Sequence, residues 1–521
     1  MKRGLILTAL AVVVVAGHVR AEDAAASDVR RIVGAAEHPW LRWPRFPDYQ
    51  RDIERLYESS GWAPVWCRDG RPTPQAAEVI ASLRQADARG LRPTDYDSER
   101  LDTEAKLVAP SDPASVARFD TALTVSTMRY VSDAYVGRVN PRTLGFGLDV
   151  EPKRLDLAAV LTELAQSPTP GQHLAGFDPP FPLFRRLQVE LAKMRALAAR
   201  PDLPSVPTPL PVLHPGDTNP GMPALRQRLA LLGDLADGTA LTDPTAYDAA
   251  LVAAVQRFQE RHGLAADGVI GAGTARALRV EPAARVQQIE LAMERLRWLP
   301  LHVADRFILV NLPEFRLFGF HAGVPGPRVA MDVVVGSAAR HNATPILQAD
   351  LKHVVFRPYW QVPPGIAKQE ILPKVRRDAG YLQRNHMEMV DNRVRQRPGP
   401  DNALGLVKFL FPNAHHVYMH DTPQKSLFGR AQRDFSHGCI RVANPIGLAE
   451  FVLGWDRARI IEAMQRGRDN RWVPVPEPIP VYLLYSTAVV NEAGRLFFFE
   501  DIYGHDAELA RVLARGYPYP H

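Results

Sequence analysis

The hydrophobic period of this 521-residue chain changes once, and that change constrains what it can fold into. Up to about residue 300, apolar residues recur at helical spacing. From Arg306 they come in short β-rich runs split by turn residues: Phe307 to Leu312, Phe315 to Phe320, Val329 to Val335 and Lys352 to Phe356. A chain of this length carries about three or four domains on the usual prior. The expected fold class is therefore multidomain α+β, with a mainly β domain behind helical ones.

The helical part has internal punctuation. Residues 28–200 read as a helical scaffold. Ala77, Ile80, Leu83 and Ala86 share a face before the stop at Gly90, and Leu157 to Leu164 and Phe184 to Leu197 repeat the pattern. Cys67 there has no local partner and reads as a packed small residue. Eight prolines between 201 and 223 mark a stiff linker or a loop draped over a neighbour. Residues 224–280 form a small three-helix module. Leu225, Leu229 and Leu232 lie on its first helix; Thr245, with Asp248 in reciprocal position, caps the second, which carries Tyr247, Leu251, Val255 and Phe258. An Asp267-Gly268 turn and a helix starting at Thr274 complete it. Val286, Ile289, Met293 and Leu296 mark a connector helix within 281–304. The β domain is expected over 305–480, closed by the proline-rich run 473–480. A C-terminal β extension, 481–521, packs back with a short last helix.

The N-terminus reads as an export signal over residues 1–21. Lys2 and Arg3 precede the apolar run Leu5 to Ala16, and Val19-Arg20-Ala21 is a small-x-small cleavage site. Cleavage would leave no membrane span. Of the formal charge of +6, three cations (Lys2, Arg3, Arg20) lie in that segment, so the mature excess is +3. That is too small to argue for nucleic acid. The two cysteines, Cys67 and Cys439, exclude a disulfide scaffold and a cysteine-rich zinc module.

The chemistry concentrates in His415 to Val442. Cys439 lies in Ser436-His437-Gly438-Cys439-Ile440-Arg441, and His420 lies nineteen residues earlier. A thiol attacks a carbonyl as thiolate, and a histidine within reach can take its proton and return it to the leaving amine. Nineteen residues suffice for a strand, a loop and a second strand, which can set the two side by side. Gly438 permits unusual backbone angles and close substrate approach. The N–H groups of His437, Gly438 and Cys439 could form an oxyanion hole. Asn444-Pro445 reads as an N-cap and first turn. The histidine precedes its cysteine, unlike the papain order. A zinc site using His416 and His420 is disfavoured, because strand residues four apart are separated by about 13 Å; His415 and His416 read as surface or packing residues.

At these residues the chain resembles the YkuD-type L,D-transpeptidase catalytic domain, whose pattern is a histidine followed by Ser/Thr-His-Gly-Cys. Supporting matches are Val335-Gly336, Thr344-Pro345, Pro358-Tyr359-Trp360-Gln361-Val362-Pro363-Pro364, Arg397-Pro398-Gly399-Pro400 and Asn402-Ala403-Leu404-Gly405. The module resembles the peptidoglycan-binding type 1 domain through Leu225-Arg226-Gln227-Arg228-Leu229, Val255-Gln256-Arg257-Phe258-Gln259 and Asp267-Gly268-Val269-Ile270-Gly271. The layout is similar to the large Gram-negative type with an N-terminal scaffold. The resemblance implies Cys439 as nucleophile, His420 as base and the Asp421 carbonyl as its orienting partner. It also implies that His437, Gly438 and Ser436 shape the pocket, and that Arg441, Tyr418, Trp360 and Asn402 bind substrate. Arg441 reads equally as a structural ion pair. Residues 362–397 would form a lid. No cofactor and no metal is implied. The expected reaction is 3→3 cross-linking of diaminopimelate with release of D-alanine, or hydrolysis or protein attachment from the same thioester. Expected partners are peptidoglycan stem peptides and glycan, with other wall-synthesis enzymes as candidates; the expected location is the periplasm, and carbapenems are expected inhibitors. A non-catalytic wall-binding protein is the rival class.

Overall fold

The computed structural model describes residues 23–150, 153–206, 210–236, 243–301, 304–517 and 519. The expected export segment lies outside them. Seven α-helices between Pro47 and Ala198 build the scaffold around Pro113–Tyr135, whose residues are almost all buried. Its start follows sequence rules: Asp112 accepts a hydrogen bond from the Ser115 N–H, and Pro113 occupies the first turn. Polar groups inside this helix are paired. Asp120 accepts from Tyr57 Oη (2.7 Å) and from the Val65 and Trp66 N–H groups (2.9 and 2.6 Å). Cys67 is half-buried beside it and unpaired, so no disulfide joins it to Cys439.

The module's helices are Met222–Leu231, Ala249–Arg261 and Ala272–Arg279, around Leu225, Leu229, Leu251, Phe258 and Leu278. Asp248, not Thr245, caps the second, accepting from the Leu251 N–H at 2.9 Å; the Thr245 hydroxyl turns back to Asp243. A carboxylate directly before the first helical residue reaches the free N–H groups better than a hydroxyl three residues earlier. The described part of the proline-rich segment drapes over the module: Leu213 pairs with Ile270, and Arg228 donates to the Pro204 carbonyl.

The connector, Pro282–Arg297, is buried over most of its second half. Glu294 is fully buried. It accepts from the Arg138 N–H (2.5 Å) and Nε (3.1 Å), and Arg297 Nη1 lies 3.4 Å away. Scaffold and connector thus share one buried charge cluster.

Nine strands form the β domain: β1 Arg306–Asn311, β2 Arg316–His321, β3 Val329–Gly336, β4 Leu347–Phe356, β5 Val407–Leu410, β6 Met419–His420, β7 Asp434–Ser436, β8 Ile440–Val442 and β9 Arg471–Leu484. Their spatial order is β7-β3-β8-β6-β5-β4-β9-β1-β2, and β2 also pairs with β3. Eight strands therefore close on themselves and β7 adds to β3. Alternation fixes the faces: Val407, Phe409, Met419, Ile440 and Val442 are fully buried in the core, while Lys408, Tyr418 and Arg441 between them are not. Each such buried side chain contributes about 1.5–3 kcal/mol. Gly147 of the scaffold bonds to Ile346 and Gln348 at the start of β4.

The proline-rich run 473–480 does not close this domain. It lies inside β9, which pairs antiparallel with β4 and, from Val481, parallel with β1. The register breaks between Pro474 and Ile479, where prolines supply no N–H to the ladder. The C-terminal extension holds one short β pair, Ala488–Val490 with Leu496–Phe498.

An insert between β4 and β5 has its own small core of Val362, Ala367, Ile371 and Val394. It combines a helical stretch over 364–377, containing one π turn over Ala367–Ile371, with strands Trp360–Gln361, Met387–Val390 and Arg393–Gln396.

Candidate active site

β6 and β8 are parallel neighbours. Met419 faces Ile440 and His420 faces Arg441 across the ladder, and the Ile440 N–H donates to the Tyr418 carbonyl at 3.0 Å. Met419 and Ile440 point into the core. The residues flanking them, Tyr418 and His420 on one strand and Cys439 and Arg441 on the other, therefore share the opposite face. Lys408 of β5 stands opposite His420 and joins that face.

His420 is buried, and its Nδ1 lies 2.5 Å from the Asp421 carbonyl oxygen. A carbonyl only accepts, so the proton sits on Nδ1 and the Nε2 lone pair remains for a substrate-side proton. Burial, aided by the Arg441 charge, pushes the imidazole down to about 3. Cys439 is half-buried, and burial raises its thiol above the ordinary value, against hydrogen bonds from Tyr418 and the charges of Lys408 and Arg441. The resting pair is thus a neutral thiol and a neutral imidazole, and the thiol's hydrogen-bond partner at rest is Tyr418.

Gly438 adopts φ 109°, a backbone angle that suits glycine. Ser436 Oγ accepts from the Gly438 N–H at 3.1 Å and donates to the Cys439 carbonyl at 2.5 Å. This corrects one expectation: the Gly438 N–H is already used and does not serve an oxyanion. Both Ser436 bonds lie within the loop that carries Cys439. His437 is partly exposed, and its Nε2 lies 2.7 Å from Glu370 Oε1 in the π turn of the insert. The insert is thereby tied to the cysteine loop.

Asn402 is buried and fully engaged. Its Nδ2 donates to the carbonyls of Pro358 and Arg397, and its Oδ1 accepts from the Leu404 N–H, so it holds the loop before β5 and is not free for substrate. Trp360 packs half-buried against the core of the insert. Arg441 donates through Nη1 to Gln424 Oε1 at 2.5 Å and has no carboxylate partner among the described residues. The ion pair weighed as its alternative role is not formed. The Asp421 carboxylate accepts from the Leu406 and Thr422 N–H groups and from Lys425 Nζ.

Three contributors carried no role in the sequence reading. Thr344 Oγ1 accepts from the Gly336 N–H and donates to the Gly438 carbonyl, both at 2.8 Å, pinning the end of β3 to the cysteine loop. Tyr503 Oη donates to the Gly336 carbonyl at 2.7 Å. Lys408 lies on the reactive face. Alternation of Val407, Lys408 and Phe409 was a usable signal for Lys408; Thr344 stood in a matching Thr-Pro pair, which says nothing of the two backbones that its hydroxyl bridges. No group of three or more metal-binding side chains occurs among the described residues.

A histidine and a cysteine are thus held on one face of adjacent parallel strands, and known families match the chain around them. Residues 305–475 match the L,D-transpeptidase catalytic domain, the YkuD family. Residues 51–191 match a scaffold domain, and 218–278 match the family described as "Putative peptidoglycan binding domain". Residues 305–475 are thus similar to the YkuD-type catalytic domain and follow stretches similar to these two. It is 31% identical over 248 residues to a protein of Haemophilus influenzae named "Putative L,D-transpeptidase", an alignment covering 43% of this chain and 49% of that relative. The chain thus spans about half the length of the curated relative it matches.

Proposed function

We propose that the protein is a peptidoglycan L,D-transpeptidase working through a cysteine thioester. The observation that carries this reading is the common face of Tyr418, His420, Cys439 and Arg441, together with the bond from His420 Nδ1 to the Asp421 carbonyl. The Cys439 proton passes to His420 Nε2 as sulfur attacks the amide between the L-centre of diaminopimelate and D-alanine. The sulfur–carbon bond forms, the carbon–nitrogen bond breaks, and His420 returns the proton to the departing D-alanine amine. The side-chain amine of a second diaminopimelate then takes the acyl group, giving a 3→3 cross-link and freeing the thiol. The unpaired Nε of Arg441 suits a substrate carboxylate. Oxyanion stabilisation falls to the Cys439 N–H, since Gly438 is engaged.

The insert acts as a lid, and the module at 218–278 holds wall polymer near the site. The reaction belongs outside the cytoplasm, consistent with the export-like segment 1–21; no helix among the described residues is long and apolar enough to cross a membrane. Carbapenems, which mimic an acyl donor, should acylate Cys439.

Purified protein incubated with tetrapeptide muropeptides and analysed by mass tests this reading. A dimer lighter than two tetrapeptides by one D-alanine supports it. Tripeptide alone means hydrolysis from the same acyl-enzyme, and attachment to an added protein amine means ligation. Unchanged tetrapeptide overturns the reading.

A further inference from the structure

Lys408 is a cation on the reactive face with no anion to meet it. It projects from β5 directly opposite His420, so their Cβ atoms lie about 4.5–5.5 Å apart on one face. Its Nζ is 4.9 Å from the centre of the Tyr418 ring, the side chain that reaches the Cys439 sulfur. Arg441, level with His420 on the other side, donates only to the neutral Gln424, and its buried Nε has no partner. Among the described residues neither cation has a carboxylate partner. The one carboxylate beside His420, that of Asp421, is occupied by Lys425 and two backbone N–H groups. Two partly desolvated cations around one sulfur repel each other and have lost hydration. That arrangement fits a site whose ligand brings the negative charge.

We propose that Lys408 is a specificity-determining residue that receives a carboxylate of the donor stem, forming with Arg441 a two-cation clamp around Cys439. The inference rests on the wall-substrate reading above. A tetrapeptide donor presents two carboxylates near the scissile amide: that of the departing D-alanine and that on the D-centre of diaminopimelate. A guanidinium fork engages both oxygens of one carboxylate, and an ammonium acts as a point charge on another or on the same group. The clamp selects donors that carry free carboxylates at these positions.

The test uses the full chain carrying Cys439→Ala, so that binding is read without turnover. Calorimetry compares the tetrapeptide with two analogues, one amidated at D-alanine and one at the D-centre of diaminopimelate. With Lys408 present, at least one amidation should weaken binding tenfold or more, and which one it is identifies the carboxylate. Lys408→Gln should weaken the parent peptide by a similar factor and abolish that discrimination; Lys408→Arg should restore most of it. Lys408→Met is the second charge-removing variant, with thermal melting as the folding control. Equal binding of the parent peptide by Lys408→Gln, unchanged discrimination, or no measurable binding of the parent overturns the clamp. So does discrimination left intact in the binding test together with a shifted alkylation pH profile of Cys439 in Lys408→Gln that keeps its cysteine, which would confine Lys408 to the sulfur. Failure of the catalytic reading shows separately, as absence of product from the unmodified protein.

Discussion

His437 Nε2 lies 2.7 Å from Glu370 Oε1, so the loop that carries Cys439 is fastened to the π turn of the insert above it. Both partners are partly exposed, which limits the contact to about 1 kcal/mol. Glu370→Gln should speed amide exchange over residues 364–377 by up to roughly fivefold and leave the barrel strands unchanged. Unaltered exchange there would mean that other contacts hold the insert.

Thr344 joins two backbones that must keep their spacing. Thr344→Val leaves the Gly336 N–H and the Gly438 carbonyl unpaired in a buried place, at about 1–3 kcal/mol. We expect kcat to fall roughly tenfold or more, with Thr344→Ser near wild type. Steady-state kinetics on both variants decide this.

The protonation state of the site has a pH signature. Burial raises the Cys439 thiol, so its alkylation by iodoacetamide should keep rising beyond about pH 9. A thiolate–imidazolium pair would instead give a plateau between about pH 6 and 8. His420 is held neutral down to about 3, whereas the unfolded histidine titrates near 6.5. Its neutral burial therefore favours the fold above 6.5, and this contribution is lost as pH falls from 6.5 toward 3. His420→Gln should flatten that part of the stability curve.

The scaffold and connector are joined through Glu294. Removing one member of a fully buried charge cluster leaves the others uncompensated, so Glu294→Ala should cost about 3–5 kcal/mol. Denaturant unfolding measures it. A loss below about 1 kcal/mol would show that water reaches Arg138 and Arg297.

The parts of this protein written in local pattern were legible in its sequence. Period separated a helical N-terminal region from a β-rich C-terminal domain, and Asn444 does cap the helix Pro445–Leu453 as its sequence indicates. The spacing of His420 and Cys439 allowed two neighbouring strands, and β6 and β8 are such a pair. What escaped depends on tertiary partners. Prolines 474–480 look like a terminus, yet β4 pairs with both ends of the run and β1 takes up the strand from Val481, so the chain continues through them as one strand. Asn402 was a sensible substrate contact by type, but the Pro358 carbonyl, 44 residues away, joins Arg397 and Leu404 in taking up its polar atoms; the partner of His437, Glu370, lies 67 residues away. Lys408 was visible as an outward strand position and carried no motif to mark it.

Acylation of the Cys439 sulfur would show directly in a mass spectrum. Full-length protein is mixed with tetrapeptide donor, quenched in acid, and digested. The account predicts an adduct equal to the donor minus D-alanine, on the peptide containing Cys439 and nowhere else, and its complete loss together with D-alanine release in Cys439→Ala. Release of D-alanine by Cys439→Ala, or an adduct on another residue, would contradict it.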